Sequence, residues 1–437
     1  MTTCFEPCAH ALRCCSAAVV LAAFGCAHAV QPQTQLSAGI DHNGADLLAA
    51  TSSPVAAADF TLLGYGSPLP LVATAYNYYV SPAGLDTASG SRTAPFRTLS
   101  RAAAVVAAKA ATIRSDGARQ GITVWVAPGT YSGGFKTTAS GDAVPSGRIY
   151  YISTTKWGAR IVPPATGGVK SAWDNRGNYV SIFGFEVDGS KLGNGAAWRY
   201  GLYSGGSHTH FHGNKVSHIA TTVPCTSAGG SAIGVDSYYK GVKGEVIGNV
   251  VHDIGQAGCR FVQGIYISTS AVVKNNVVFR VAAAGIHLWH DANDVLVTNN
   301  TVSRSTHGIV VGGGDFYWRT TGADHIRVHN NVLHDNAYGV SETGKTGCNN
   351  VYSDNLAFKN TYNWSLKPCV ANSSTVNADP QMGRQSRQPG LPDYGMRPGL
   401  PPFRRATANQ DDLPDLEERG RSVGTGDDIG QCSPADE

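Results

Sequence analysis

The sequence predicts an all-β fold: a single-stranded parallel β-helix, one chain coiled into a solenoid, with an N-terminal capping helix. Three observations predict it. The first is composition. Of 437 residues, 52 are Gly, 42% are hydrophobic and only 15% are charged. A globular chain averages roughly a quarter charged and about 7% Gly. The hydrophobic share excludes disorder, and the shortage of charge excludes a coiled coil. Many Gly among many β-branched residues point to short strands and frequent turns. The second is a short apolar strand that ends in Asn. It reads VIGNV at 246–250, VKNNV at 273–277, VTNNT at 297–301 and VHNNV at 328–332, with a worn copy, YSDNL, at 352–356. The last Asn of each copy recurs at spacings of 27, 24, 31 and 24 residues. Earlier copies sit at Asn214 and Gly184. The third is a Gly-led strand that alternates with it, starting at Gly201, Gly234, Gly264, Gly285, Gly308 and Gly339. The residue after each of these Gly is Leu, Ile or Val.

A period near 24 with two or three short strands per unit is one coil of a solenoid. No coil buries its apolar face alone, but stacking builds a continuous core. Asn tolerates the left-handed turn conformation, and stacked amides can hydrogen-bond from coil to coil. A β-propeller would need four strands per roughly 40–45 residues. An immunoglobulin-type sandwich would lack the Asn period.

The elements follow in order. Residues 1–29 read as an export signal: Arg13 closes a short leading region, CCSAAVVLAAFG at 14–25 is apolar, and Ala27-His28-Ala29 gives a small-x-small cleavage site. A lipoprotein reading would end at Cys26 instead, but Phe24 suits that motif poorly. Residues 30–75, rich in Ala, Ser, Pro and Thr, read as a linker or leader. The coiled domain is expected over 76–400. Within it Tyr78–Val80 is a strand, 84–93 a turn-rich loop, and a helix runs over about 95–112. Pro95 starts that helix, and Leu99, Ala102, Ala103, Val106 and Ala110 give its apolar stripe. Strands follow at Ile122–Val126, Ile149–Ile152 and Val180–Gly184. The Pro-, Arg- and acid-rich segment 401–437 reads as a disordered tail.

The net charge is only +3 and no basic arm is visible, so nucleic acid is not an expected partner. No segment after the signal is apolar enough to span a membrane. Five cysteines lie in the signal, which leaves Cys225, Cys259, Cys348, Cys369 and Cys432. An exported chain can form disulfides. Cys225 is expected to pair with Cys259 and Cys348 with Cys369, closing loops within the repeat, with Cys432 left over.

The opening segment YVSP at 79–82, Gly90, PFRTL at 95–99 and VAPGTY at 126–131 form a pattern that resembles the pectate-lyase-like superfamily of secreted right-handed parallel β-helix proteins. FGFEVDG at 183–189 resembles its first full coil, and ADP at 378–380, DYGMRPG at 393–399 and DIG at 428–430 resemble a degraded closing segment. The resemblance covers about residues 76–400. It implies a right-handed solenoid and, most often, an enzyme acting on an acidic polysaccharide. The scaffold also hosts hydrolases, epimerases and non-enzymatic spikes, so the reaction is argued from the site.

In the family the substrate groove runs along the strand that corresponds here to the Gly-led strand. Aligning the copies on their Gly puts Asp236, Tyr266 and His287 in one outward row, flanked by Tyr203, Tyr238 and Trp289. Coils stack about 4.8 Å apart, so such a row is contiguous. β-Elimination of a uronate needs carboxylate neutralisation, a base for the C5 proton and an acid for the leaving oxygen. His287 suits the base, Tyr266 the acid, and Arg260 a bidentate partner for the carboxylate. Asp236 is either a catalyst or, with Asp291 and Asp294, a calcium ligand, since calcium takes carboxylate oxygens. Trp289, Tyr203 and Tyr238 offer flat faces for sugar rings.

Each of these residues also has a plainer role. A solenoid His is often simply exposed, a strand Tyr often packs on loops, and an Asp such as Asp236 often serves a turn or a cap. His208, His210 and His212 alternate along one strand, a face that suits a metal but is ordinarily just solvated. Calcium-dependent lyases of this fold typically use a Lys or Arg base, which the row lacks, so the standard calcium mechanism is not expected; no cofactor is required, and calcium is the ion that the acidic residues could take. The expected partner is a polysaccharide, the expected state a monomer, and the expected location secreted, periplasmic or cell-surface. The competing readings are a glycoside hydrolase, for which Asp236 with Asp291 is the obvious carboxylate pair, and a non-catalytic carbohydrate-binding protein.

Overall fold

Parallel pairing of short strands, coil after coil, organises the chain in a computed structural model. It describes Leu62, Leu63 and residues 72–377, apart from Lys191 and Ser374. The expected signal (1–29), nearly all of the linker, the closing motifs beyond 377, the tail and Cys432 lie outside the described residues.

Three long sheets run along the solenoid, with 11, nine and nine strands, and every ladder within them is parallel. Each of the nine full coils among the described residues contributes one strand to each sheet, and the first and last strands extend the first sheet alone. The first sheet opens with Tyr76–Val80 and ends with Ala371–Ser373. Inward side chains from all three sheets merge into one continuous apolar core from Val80 to Ala357.

The helix spans Leu99–Ser115 and packs Leu99, Ala102, Ala103, Val106, Ala110 and Ile113 inward over the first coil. It begins later than Pro95 suggests. Phe96 is spent on a bridge to Val80, and the cap is Thr98, whose hydroxyl accepts the Arg101 N–H at 3.1 Å. Asp86 in turn holds Thr98 through its amide and its hydroxyl. A Ser or Thr cap of this kind satisfies an otherwise orphaned amide at the helix start.

The Asn repeat divides into two jobs. The first residue of each pair takes the left-handed turn: Gly184, Gly213 and Gly248, then Asn275, Asn299, Asn330 and Asp354, with φ between 53° and 68°. The second builds a buried amide ladder. Asn214, Asn249, Asn276, Asn300 and Asn331 each donate, through backbone N–H and side-chain Nδ2, to the Oδ1 of the next, ending on Asn355 at 2.9–3.1 Å. A shorter ladder, Ser305–Asn336–Asn360, lines another corner.

The Gly of the Gly-led strand stands at a bend. A Cβ at Gly201, Gly264, Gly308 or Gly339 would collide with the carbonyl oxygen of the next coil. Both expected disulfides are present, Cys225–Cys259 and Cys348–Cys369. No helix among the described residues is long and apolar enough to cross a membrane.

Candidate functional site

Register decides which side chains meet on the third sheet. Strand Tyr200–Ser204 pairs with Gly230–Val235, then Val262–Ile267, Ala284–Leu288 and His307–Gly313. The outward column runs Asp174, Tyr203, Gly234, Tyr266, His287, Val310. Tyr266 and His287 are therefore neighbours, as expected, but Asp236 is not in their row. The ladder sets Ile233 opposite Ile265, so Gly234 faces Tyr266 and Asp236 falls two residues further on. In this coil Ala232, not Gly234, occupies the bend. Gly234 instead leaves room beside Tyr266, where a larger residue would stand between it and Tyr203.

Tyr266 and His287 meet edge to face, with ring centroids 5.4 Å apart. Neither side chain makes a hydrogen bond among the described residues, and His287 Nδ1 is sealed from solvent. Burial, reinforced by the charges of His307 and His290, pulls the His287 imidazole down to about 3. Burial, then Tyr317 and the negative charge of Asp236, pushes the Tyr266 phenol well above its ordinary range. Near neutral pH the pair is thus a neutral imidazole beside a protonated phenol.

Linkage gives a testable sign. Unfolded His287 would titrate near 6.5, while folded it stays neutral to about 3. The unfolded state therefore binds the extra proton, and stability falls as pH drops from 6.5 towards 3, by at most about 1.4 kcal/mol per pH unit from this group. His287→Gln is expected to flatten that slope relative to wild type in denaturant titrations across this window. An identical slope would show that His287 titrates normally.

The other expected residues are placed differently. Asp236 accepts from the Tyr203 hydroxyl (2.8 Å), the Ser268 hydroxyl (2.6 Å) and the Tyr238 amide (3.0 Å). It orders the site rather than standing free as a base. Tyr203 is also engaged on its face: the Arg176 guanidinium lies 4.8 Å from its ring centre and pairs with Asp174. Tyr238 lies in the loop beyond the strand, exposed, with its ring against Tyr239 and Tyr317. Arg260 sits over Phe261 next to the Cys225–Cys259 disulfide, in the turn before the strand Val262–Ile267. Trp289 is half-buried and lies on glycines. A Cβ at Gly312, Gly314 or Gly344 would approach its ring to 2.6–2.8 Å.

The calcium set is not assembled. Asp291 is buried, and its oxygens accept the Ser237 hydroxyl and the amides of Tyr317, Trp318 and Arg319 at 3.0–3.2 Å. It anchors a loop. Asp294 is exposed in a left-handed turn with φ 53°. Among the described residues, Asp236, Asp291 and Asp294 do not converge into a ligand group.

The loop that Asp291 anchors was not anticipated. It brings Tyr317 onto His290, with ring centroids 4.1 Å apart and Tyr317 Oη 2.8 Å from Nε2. His290 in turn lies edge-on to Tyr266 at 6.0 Å. The same loop walls a cleft of about 680 Å³ that includes Ser237, Lys240, Lys243, Asp291, Trp318 and Arg319. Lys240 Nζ lies 4.5 Å over the Trp318 ring. Lys240, Lys243 and Arg319 line the cleft together with Asp291, Asp294 and the Trp318 ring. The 31-residue interval between Asn300 and Asn331, against 24 in the coils on either side, is the sequence signal for this insertion. Gly-Gly-Gly-Asp-Phe-Tyr-Trp-Arg at 312–319 marks its content.

Comparison with known proteins bears on the fold. Residues 173–377 match the family model described as a right-handed β-helix region. No curated protein matches the chain. Among solved structures, pectate lyase Pel9A aligns at 17% identity over 79% of this chain and 96% of its own, with a TM-score of 0.51. A glycoside hydrolase aligns at 9% identity over 70% of this chain and 95% of its own, also with a TM-score of 0.51. Together with the parallel ladders and the continuous core, these matches make the chain a right-handed parallel β-helix protein built on the pectate-lyase-like fold.

Proposed function

We propose that the chain is an exported enzyme that cleaves a uronate-containing polysaccharide by β-elimination. The observation that carries this reading is the adjacency of Tyr266 and His287, a phenol and an imidazole side by side with no hydrogen-bond partner among the described residues. His287 takes the C5 proton, the C4–O bond breaks as the C4–C5 double bond forms, and Tyr266 gives its proton to the departing oxygen. An anionic sugar beside His287 favours the imidazolium and so raises its basicity in the complex. Lys240, Lys243 and Arg319 supply positive charge for uronate carboxylates, and Trp289 a platform for a ring. Two disulfides support an oxidising, extracellular setting.

The test incubates the chain with a panel of uronate polymers and follows both the absorbance of the unsaturated product and the appearance of reducing ends. β-Elimination gives both signals. Reducing ends without absorbance would replace this reading by hydrolysis, and binding without either by a non-catalytic role. The cleft adds a prediction. The double variant Lys243→Ala/Arg319→Ala is expected to raise KM for the acidic polymer about 10-fold or more, with a smaller effect on kcat. An unchanged KM would remove the cleft from substrate binding.

A further inference from the structure

On the first sheet, away from the strands that carry Tyr266 and His287, three side chains converge. His210 and His212 alternate on strand His210–His212, with Phe211 between them in the core. Their rings stack at 4.9 Å and 11°. Glu245, on the next coil, pairs directly opposite His210. One Glu245 oxygen, Oε2, lies 3.4 Å from His210 Nε2 and 3.1 Å from His212 Nε2. His208, expected on the same face, turns aside with φ 54° and stacks on Tyr179. The strand face is not simply solvated, because His212 is only 4% exposed.

We propose that His210, His212 and Glu245 bind a zinc-class divalent metal ion. Two imidazoles and one carboxylate form a donor set that such ions take, whereas calcium prefers oxygen alone. The spacing fits. A tetrahedral ion with bonds of about 2.0–2.2 Å holds neighbouring ligand atoms about 3.3 Å apart. The ligand atoms of the trio all lie within 4.8 Å of one another. A second, independent observation points the same way. Both nitrogens of the buried His212 ring are sealed, and among the described residues neither makes a well-angled hydrogen bond, the 3.1 Å approach to Glu245 included. Nature rarely leaves such buried groups unpaired, and an ion would satisfy one of them.

The surroundings also suit a ligand. Ser181 Oγ lies 3.3 Å from His210 Nδ1 and already accepts from Arg148 Nε at 3.1 Å. Its remaining lone pair can accept the His210 Nδ1–H, the tautomer that leaves Nε2 bare towards Glu245. The side chains of His210 and Glu245 are 21% and 24% exposed, so an ion has a path in and a water can complete its shell. The ion would clamp two successive coils together and stabilise the fold by mass action.

The experiment uses the full chain, free of any histidine tag and stripped with a chelator. Zn²⁺ is titrated calorimetrically, and Co²⁺ is followed by visible absorption. Saturable binding of one ion per chain, a four- or five-coordinate Co²⁺ spectrum, and a Zn²⁺-dependent rise in Tm are expected. Glu245→Gln and His210→Ala should weaken Zn²⁺ binding at least 100-fold and abolish the Tm response. If Glu245→Gln does not fold, the wild-type Co²⁺ spectrum and His210→Ala carry the test. No saturable Zn²⁺ binding by the stripped wild type, or unchanged binding in a folded variant, would overturn the proposal.

Discussion

Replacing His287 by Ala is expected to lower kcat/KM on the cleaved polymer about 10²–10⁴-fold, the range a positioned general base supplies. The expectation rests on the ring's isolation. It touches Tyr266 and Trp289, has no hydrogen-bond partner among the described residues, and stays neutral near pH 7. Tyr266→Phe keeps the ring that packs against His287 and removes only the proton. It should reduce kcat about 10²-fold or more while leaving KM nearly unchanged, since that proton moves only in the transition state. Initial rates of unsaturated-product formation measure both variants, and a melting curve for each separates chemistry from folding. Wild-type rates in both would remove these residues from the reaction.

The second large effect concerns the ladder. Asn276→Ala is expected to cost about 3–5 kcal/mol, because it strips partners from several buried groups at once. Asn276 Oδ1 accepts from the Asn249 amide and side chain, and its Nδ2 donates to Asn300 Oδ1 and to the Val246 carbonyl. Its neighbour gives the control. Asn275 holds the left-handed turn at φ 60°, yet its side chain has no hydrogen-bond partner among the described residues. Asn275→Gly, which suits that φ, should change stability by no more than about 1 kcal/mol. Denaturant unfolding of the two variants measures the contrast. Equal losses would mean that the ladder amides do not carry the stack.

These two adjacent Asn show how much of the fold was legible. Their spacing revealed the coil, because each coil must repeat its corner to stack. Which Asn turns and which bonds is set by backbone geometry, and the letter alone does not carry it. The Gly-led strand was legible for a similar reason, since the bend leaves no room for a Cβ in most coils. It misled where Ala232 took the bend and Gly234 moved into the outward column. Alignment on Gly then displaced Asp236 by two residues, while Tyr266 and His287, whose coils keep the Gly, fell into place.

Site residues on the long loops were harder to read. Asp291 looks like a metal ligand in sequence because its chemistry is the same whether it meets an ion or four donors from the chain. Only the fold brings Tyr317, Trp318 and Arg319 to it across more than 25 positions. The signal present in the sequence was the long interval between successive Asn corners. Residues beyond the period of the coil must leave the stack, and loops of that kind hold the groups that meet a ligand.

On this reading the substrate is worked on by the face that carries Tyr266 and His287. The most direct measurement is a crystal structure of His287→Ala bound to an uncleaved oligomer of the polymer that the wild type cleaves. The expected complex has a sugar ring against Tyr266 and Trp289, the C5–H directed at the space the imidazole left, and uronate carboxylates towards Lys240, Lys243 and Arg319. An oligomer bound along either of the other two sheets would contradict it.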